Sequence, residues 1–189
     1  MKKLITVFGP DGLLPADPSY AAAVHLGSLL GAAGFAVVTG GYDGIAEAVS
    51  QGAASQQGTV IGVSAEVYFA RGMESNKYLT KEIRVKSAND RVMELLDLAD
   101  AYIACGISPA TMVEVATAWE YILQGFMEPK PILLWGAEWE DIAEILFRQK
   151  AYSGKTHPVE FIKTPEDAIE RLQNKFGKQE KLPELAIIT

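Results

Sequence analysis

Three stretches of the chain combine residue types that can hold a small anionic molecule. In "TGGYDG", Gly40 and Gly41 let the backbone approach a ligand closely, and Gly44 opens a helical pattern whose first amides favour anions. The same turn reads equally well as a plain strand-to-helix connection with Asp43 as the helix N-cap. In "GISPATMVE", Thr111 and Glu114 have the T-x-x-E spacing of a capping box, which satisfies helix-end amides without any ligand. Ser108 before Pro109 is a competing N-cap, with proline in the first turn. On spacing alone the capping reading leads. The functional reading sets Ser108 and Thr111 around a phosphate, with Glu114 one turn inside the site. In "SANDRVMELLDLAD", Arg91 opens a helix, and it matters only if its guanidinium reaches that same pocket to bind phosphate or orient a carboxylate. A further turn, "FGPDG", carries Gly9. It lacks the G-x-G-x-x-G spacing of a dinucleotide-binding turn, which argues against a nicotinamide or flavin dehydrogenase.

Other reactive side chains point nowhere in particular. His25 and His157 have no cysteine, histidine or acidic neighbours at ligand spacing, so no metal is expected. Cys105 ends an apolar run with nothing nearby to lower its pKa, and reads as a small core residue.

The elements that position these turns alternate regularly. Leu4–Phe8, Phe35–Thr39, Thr59–Val63, Ala101–Cys105 and Pro131–Trp135 read as buried strands, with Glu82–Val85 a weaker sixth and Val159–Ile162 a seventh. Amphipathic helices fall between them, at Pro18–Ala33 (N-capped by Asp17 and closed by Gly34), Gly44–Gln57 and Asn89–Ala99. Thr111–Gly125, Glu138–Lys150 and Pro165–Phe176 complete the set. This pattern predicts an α/β fold: a single-domain, Rossmann-like open parallel sheet of about six or seven strands with helices on both faces. The domain is expected over residues 1–177, followed by a tail, 178–189, whose apolar end docks on its own domain or on a partner subunit. The segment Ser64–Lys81 is a long loop after the third strand; its Tyr68, Phe69, Arg71 and Tyr78 can stack on a base, and its plain reading is a surface insertion.

Composition sets the bounds. At 189 residues the chain suits one full core, and 49% hydrophobic with 22% charged residues is ordinary for a soluble domain. A net charge of -7 argues against a nucleic-acid partner, though not against a nucleotide. The N-terminal apolar run is too short for a signal peptide, and no run approaches the roughly 18 apolar residues of a membrane span, so a cytoplasmic protein without a membrane partner is expected.

Taken together, these pieces resemble the LONELY GUY (LOG) family, nucleoside 5'-monophosphate phosphoribohydrolases often labelled lysine decarboxylases. The resemblance spans about Leu4 to Trp135. "VVTGGYDGIAEAVSQGAASQQGTVIGV" is similar to the family's glycine-rich block, with Gly40, Gly41, Gly44, Gly58 and Gly62 in register. "NDRVMELLDLADAYIA" is similar to its M-x-x-R-K block, with Arg91 on the arginine, and "GISPATMVEV" falls on the signature P-G-G-x-G-T-x-x-E, with Thr111 and Glu114 matched. Gly106 stands in place of the signature proline, Ile107 and Ser108 replace the paired glycines, Ala110 replaces the third, and Val92 replaces the lysine.

The resemblance implies a catalytic pair, Arg91 and Glu114, with phosphate or substrate held by Gly9, Gly40, Gly41, Gly44, Ser108 and Thr111, and no cofactor. The reaction implied is hydrolysis of an N-glycosidic bond through a cationic ribose transition state, which an ionised Glu114 near a helix N-terminus would stabilise. The altered loop points to the alternative, a non-catalytic sensor or carrier of a nucleotide or another phosphate-bearing small molecule. A pyridoxal-phosphate decarboxylase is a distant third, since no lysine stands out as a Schiff-base former. A homodimer is expected. The family is at least dimeric, and Thr111–Gly125 is apolar on more than one stripe, with Met93, Leu95, Leu96 and Leu98 beside it.

Overall fold

Seven short runs of branched and aromatic residues form one parallel sheet: β1 Leu4–Phe8, β2 Ala36–Thr39, β3 Val60–Ala65, β4 Lys81–Val85, β5 Ala101–Cys105, β6 Ile132–Trp135 and β7 Val159–Ile162. The computed structural model describes residues 2–149 and 156–179. The strand order is β4-β3-β2-β1-β5-β6-β7, every pairing parallel. β1, β2, β5 and β6 are buried along nearly their whole length, which is why they read as continuous apolar runs without alternation.

Six helices of eleven or more residues, with one short turn of helix, connect the strands: α1 Pro18–Ala32, α2 Ile45–Ser55, α3 Glu66–Phe69, α4 Ala88–Leu98, α5 Pro109–Leu123, α6 Ala137–Phe147 and α7 Pro165–Phe176. Two cores result. On one face Leu26 and Leu30 of α1, Ile45 and Val49 of α2, and Leu172 of α7 pack on Ile5, Val37 and Ile103. On the other, Leu95 and Leu96 of α4, Val115 and Trp119 of α5, and Trp139 of α6 pack on Val38, Tyr102 and Leu134. The sheet is thus covered on both sides, as the strand–helix alternation predicted. The order reverses between β1 and β5, so the crevice where open α/β sheets receive ligands lies over the loops that follow those two strands.

Local chemistry departs from the sequence reading at four helix starts. Asp17 sits at the N-cap of α1 but turns back to accept from the Leu14 amide at 2.7 Å, leaving the helix start to Pro18. Asp43 does not cap α2, because Gly44 at φ 64 occupies that position and no side chain caps the helix. α4 has a full capping box that the sequence reading overlooked, Ser87 with Asp90, although "SAND" spells it. At α5 the T-x-x-E box is not formed: Ser108 is the N-cap and its hydroxyl oxygen accepts from the Thr111 amide at 3.2 Å. β3 runs two residues further than expected, and α3 lies inside the segment read as loop. Gly34 follows the last turn of α1 at φ 85, as its position suggested. Of the tail, Gln179 accepts from the Lys3 amide at 3.4 Å; its apolar end, expected to dock, lies outside the described residues, as does Lys150 at the expected end of the sixth long helix.

Candidate functional site

The residues singled out from the sequence converge only in part. A cavity of about 160 Å³ opens at the carboxyl ends of β1 and β2, and its walls include Gly9, Gly40, Arg91 and Glu114. Ser108, Thr111, Gly41 and Gly44 are not among its lining residues. Asp11, Tyr42, Asp43, Tyr68, Met73 and Ala110 line it instead.

Arg91 is held from three sides. Its Nε donates to the Val63 carbonyl at 2.9 Å, and its guanidinium carbon lies 5.4 Å from the Tyr42 ring centre and 5.6 Å from that of Tyr68. The Tyr42 and Tyr68 rings meet edge to face at 5.5 Å. The fit also requires Gly40, since a Cβ there would lie 1.8 Å from Arg91 Nη2. The glycine predicted to let a ligand approach therefore admits the arginine. The terminal nitrogens of Arg91 have no hydrogen-bond acceptor among the described residues; they form an ion pair with Glu114, Nη1 to Oε1 at 3.8 Å.

Glu114 is 7% exposed, and none of its oxygens receives a hydrogen bond from a described residue. Among the described residues no fully enclosed side-chain polar atom lacks a partner, and Glu114 lines the cavity, so its carboxylate faces that space. Burial pushes its pKa up to about 7, and the Arg91 charge only partly opposes this. This differs from the ionised carboxylate expected near a helix end. Glu114 lies past the first turn of α5, where the helix field has faded, and loss of water dominates.

The turns beside the cavity are partly committed to the fold. The Gly41 amide donates to Thr39 Oγ1 at 3.2 Å and the Ile45 amide to the Pro10 carbonyl at 3.0 Å. Ser108 and Thr111 share a hydroxyl–hydroxyl bond of 2.9 Å, Thr111 is fully buried, and Ile107 packs against the core. The loop after β5 is thereby braced as a helix cap. Ala46 and Ala110, in the first turns of α2 and α5, bring two helix N-termini to the cavity rim.

Asp11 and Asp43 lie in sequence turns, and nothing local marks them as cavity walls. Tyr68 was noted as a candidate for stacking, and α3 delivers it to the cavity beside Arg91. Burial raises the Cys105 thiol well above its ordinary range, in keeping with an unreactive core residue. Among the described residues no group of three or more metal-ligating side chains converges, and no helix is long and apolar enough to cross a membrane.

Three comparisons bear on this arrangement. The structure is similar to the molybdenum cofactor binding protein of the phototrophic bacterium Rippkaea orientalis, at 26% identity over 93% of this chain and 98% of that one, with a TM-score of 0.73. It is also similar to the Moco carrier protein of Chlamydomonas reinhardtii, at 25% identity over 92% and 97% of the two chains, with a TM-score of 0.70. DNA processing protein A of Helicobacter pylori, at 14% identity over 92% and 81% with a TM-score of 0.59, shares the fold alone. No curated protein matches the chain. The LONELY GUY resemblance gives way to a broader assignment on these findings: a family model covers residues 2–168, and the chain belongs to the SLOG cluster4 family.

Proposed function

We propose that this protein binds a nucleotide or another phosphate-bearing small molecule and carries or senses it without turnover. The observation that carries this reading is the way unspent donors and an unspent acceptor face one cavity. Among the described residues the terminal nitrogens of Arg91 have no hydrogen-bond acceptor and Glu114 has no donor, the two meeting only as a 3.8 Å ion pair, and two helix starts meet at the rim. Arg91 and the open amides would take phosphate oxygens, and Glu114 would accept from a ring N–H or a hydroxyl. The loop after β5 supports binding over catalysis, because Ser108, at one of the LONELY GUY signature's glycines, bonds to Thr111 and braces the loop as a helix cap. Two of the similar structures are named as a molybdenum cofactor binding protein and a Moco carrier protein, which favours carriage over turnover.

A second reading rests on a separate observation. A buried carboxyl group with a pKa near 7, beside an arginine in a cleft, suits general acid–base work in N-glycosidic hydrolysis. One experiment separates the two. Mass spectrometry of the purified protein is expected to find a phosphate-bearing ligand, and Gly40→Ala is expected to lose it by ejecting Arg91 while melting close to wild type, since the clash is with the far end of a flexible side chain. A retained ligand in that variant counts against the assigned site. Release of free base from nucleoside monophosphates, abolished by Glu114→Ala, would replace the carrier reading with the hydrolase.

A further inference from the structure

The cavity at Arg91 and Glu114 holds about 160 Å³, which is small beside the roughly 300–1,000 Å³ of sites that enclose a whole cofactor-sized ligand. A second cavity, of about 550 Å³, lies immediately across the loop that follows β1. Consecutive residues divide between the two. Gly9 lines the first and Pro10 the second; Ala46 lines the first and Ile45 the second. The wall between them is the β1 loop, whose Pro10 carbonyl accepts from the Ile45 amide at the start of α2 at 3.0 Å. Together they straddle the reversal of strand order between β1 and β5, the crevice that open α/β sheets use for extended ligands.

The chemistry of the second cavity differs from that of the first. Trp135, at the end of β6, gives it a flat aromatic wall, and Pro10, Leu13 and Ile45 add apolar surface. Its polar groups are the Ser19 hydroxyl and the Glu138 carboxylate, with no cation among the lining residues. Such a wall repels phosphate and accepts from N–H donors; it suits a planar, uncharged ring. The lining of both cavities contains one cation, Arg91, which sits in the first.

We infer that the ligand is a two-ring molecule: one ring lies in the Arg91–Glu114 cavity, a phosphate linkage crosses the β1 loop, and a second N–H-bearing ring packs on Trp135 beside Glu138. This rests on the carrier reading and names its ligand class as dinucleoside-like. Gly106, at φ 72, lines the second cavity beside Pro10. The missing G-x-G-x-x-G turn is no obstacle, because the crossing uses strand order and two helix starts in place of that turn.

The test is isothermal titration of the protein, stripped of co-purified ligand, with adenosine and guanosine 5'-monophosphates and with their P1,P2-dinucleoside diphosphates. For at least one base the dinucleoside diphosphate is expected to bind about tenfold or more tightly than the mononucleotide. Trp135→Ala is expected to bring the two affinities within about twofold. Because Trp135 is half-buried and packs against the core, Ser19→Phe, at an exposed position of α1, provides a second variant that fills the cavity and should likewise erase the difference. Equal affinities in the wild type would overturn the two-ring inference and leave the mononucleotide site standing. A preference for the dinucleoside that survives both variants would place the second ring elsewhere and also overturn it. Failure of all four probes to bind overturns the inference, and the carrier reading beneath it is then judged by the ligand that co-purifies.

Discussion

Glu114 carries the sharpest consequence at the scale of single residues. Its ordinary carboxyl pKa of 4.5 is raised to about 7 in the folded chain by loss of water. Between those values the folded state binds more protons than the unfolded state, so stability falls as pH rises from about 4.5 to about 7 and is flat on either side. The full penalty above pH 7 is at most about 3 kcal/mol. Glu114→Gln cannot ionise and escapes it. Thermal melts are therefore expected to show the variant gaining on wild type by several degrees between about pH 4.5 and about pH 8, with little difference at the acid end. Parallel Tm curves would mean the carboxyl group is solvated more than its burial indicates. Loss of the Arg91 neighbour does not create this trend, because the arginine opposes the shift.

Among the elements, α1 and α2 pack unusually closely, and glycines make that possible. A Cβ on Gly52 of α2 would lie 1.9 Å from the Val24 carbonyl oxygen of α1, and one on Gly27 of α1 would lie 2.1 Å from the Val49 carbonyl oxygen. These neighbours are backbone atoms and have no rotamer to change. Gly52→Ala should gain about 1 kcal/mol in helix propensity and lose more than that by forcing the helices apart, for a net destabilisation of about 2 kcal/mol. Urea unfolding measures this directly, and an unchanged or raised midpoint would show that the helix pair yields freely. The consequence reaches the site, since α2 holds Ile45 and Ala46 in the wall between the two cavities.

For the whole molecule, the outer side of α5 is incompletely covered. Met112 is 45% exposed and Val113 56%, and Ile145 on α6 is 59% exposed. Between α5 and α6 runs an apolar groove of about 380 Å³ walled by Val115, Trp119, Leu123 and Ile142. A monomer would leave this surface in water, and a twofold pairing of α5 faces would cover it. Light scattering at low micromolar concentration is expected to give about twice the 20.4 kDa chain mass, and Val113→Glu should return it to the single-chain value. A single-chain mass for wild type across dilution would show that the sheet and its helices suffice.

The seven strands, the six long helices and the parallel sheet were legible in the order of residues, because burial on both faces of a strand leaves a continuous apolar run and each helix keeps its own periodicity. Local rules also marked Gly34, Pro109 and Ser108, whose backbone conformations are decided within a few residues. Three features required the folded chain. Whether Thr111 or Ser108 caps α5 depended on how the loop after β5 met the core, since both spacings are acceptable locally. Whether Gly40 faces a ligand or an arginine depended on α4 crossing over the end of β2, elements separated by more than forty residues. The raised pKa of Glu114 depended on burial in a cavity that it shares with Phe8, Tyr42 and Tyr68, which come from three distant stretches. Propensity and periodicity act over one or two turns of chain. Desolvation and close approach are properties of a packed volume, and only the tertiary structure decides which side chains share it.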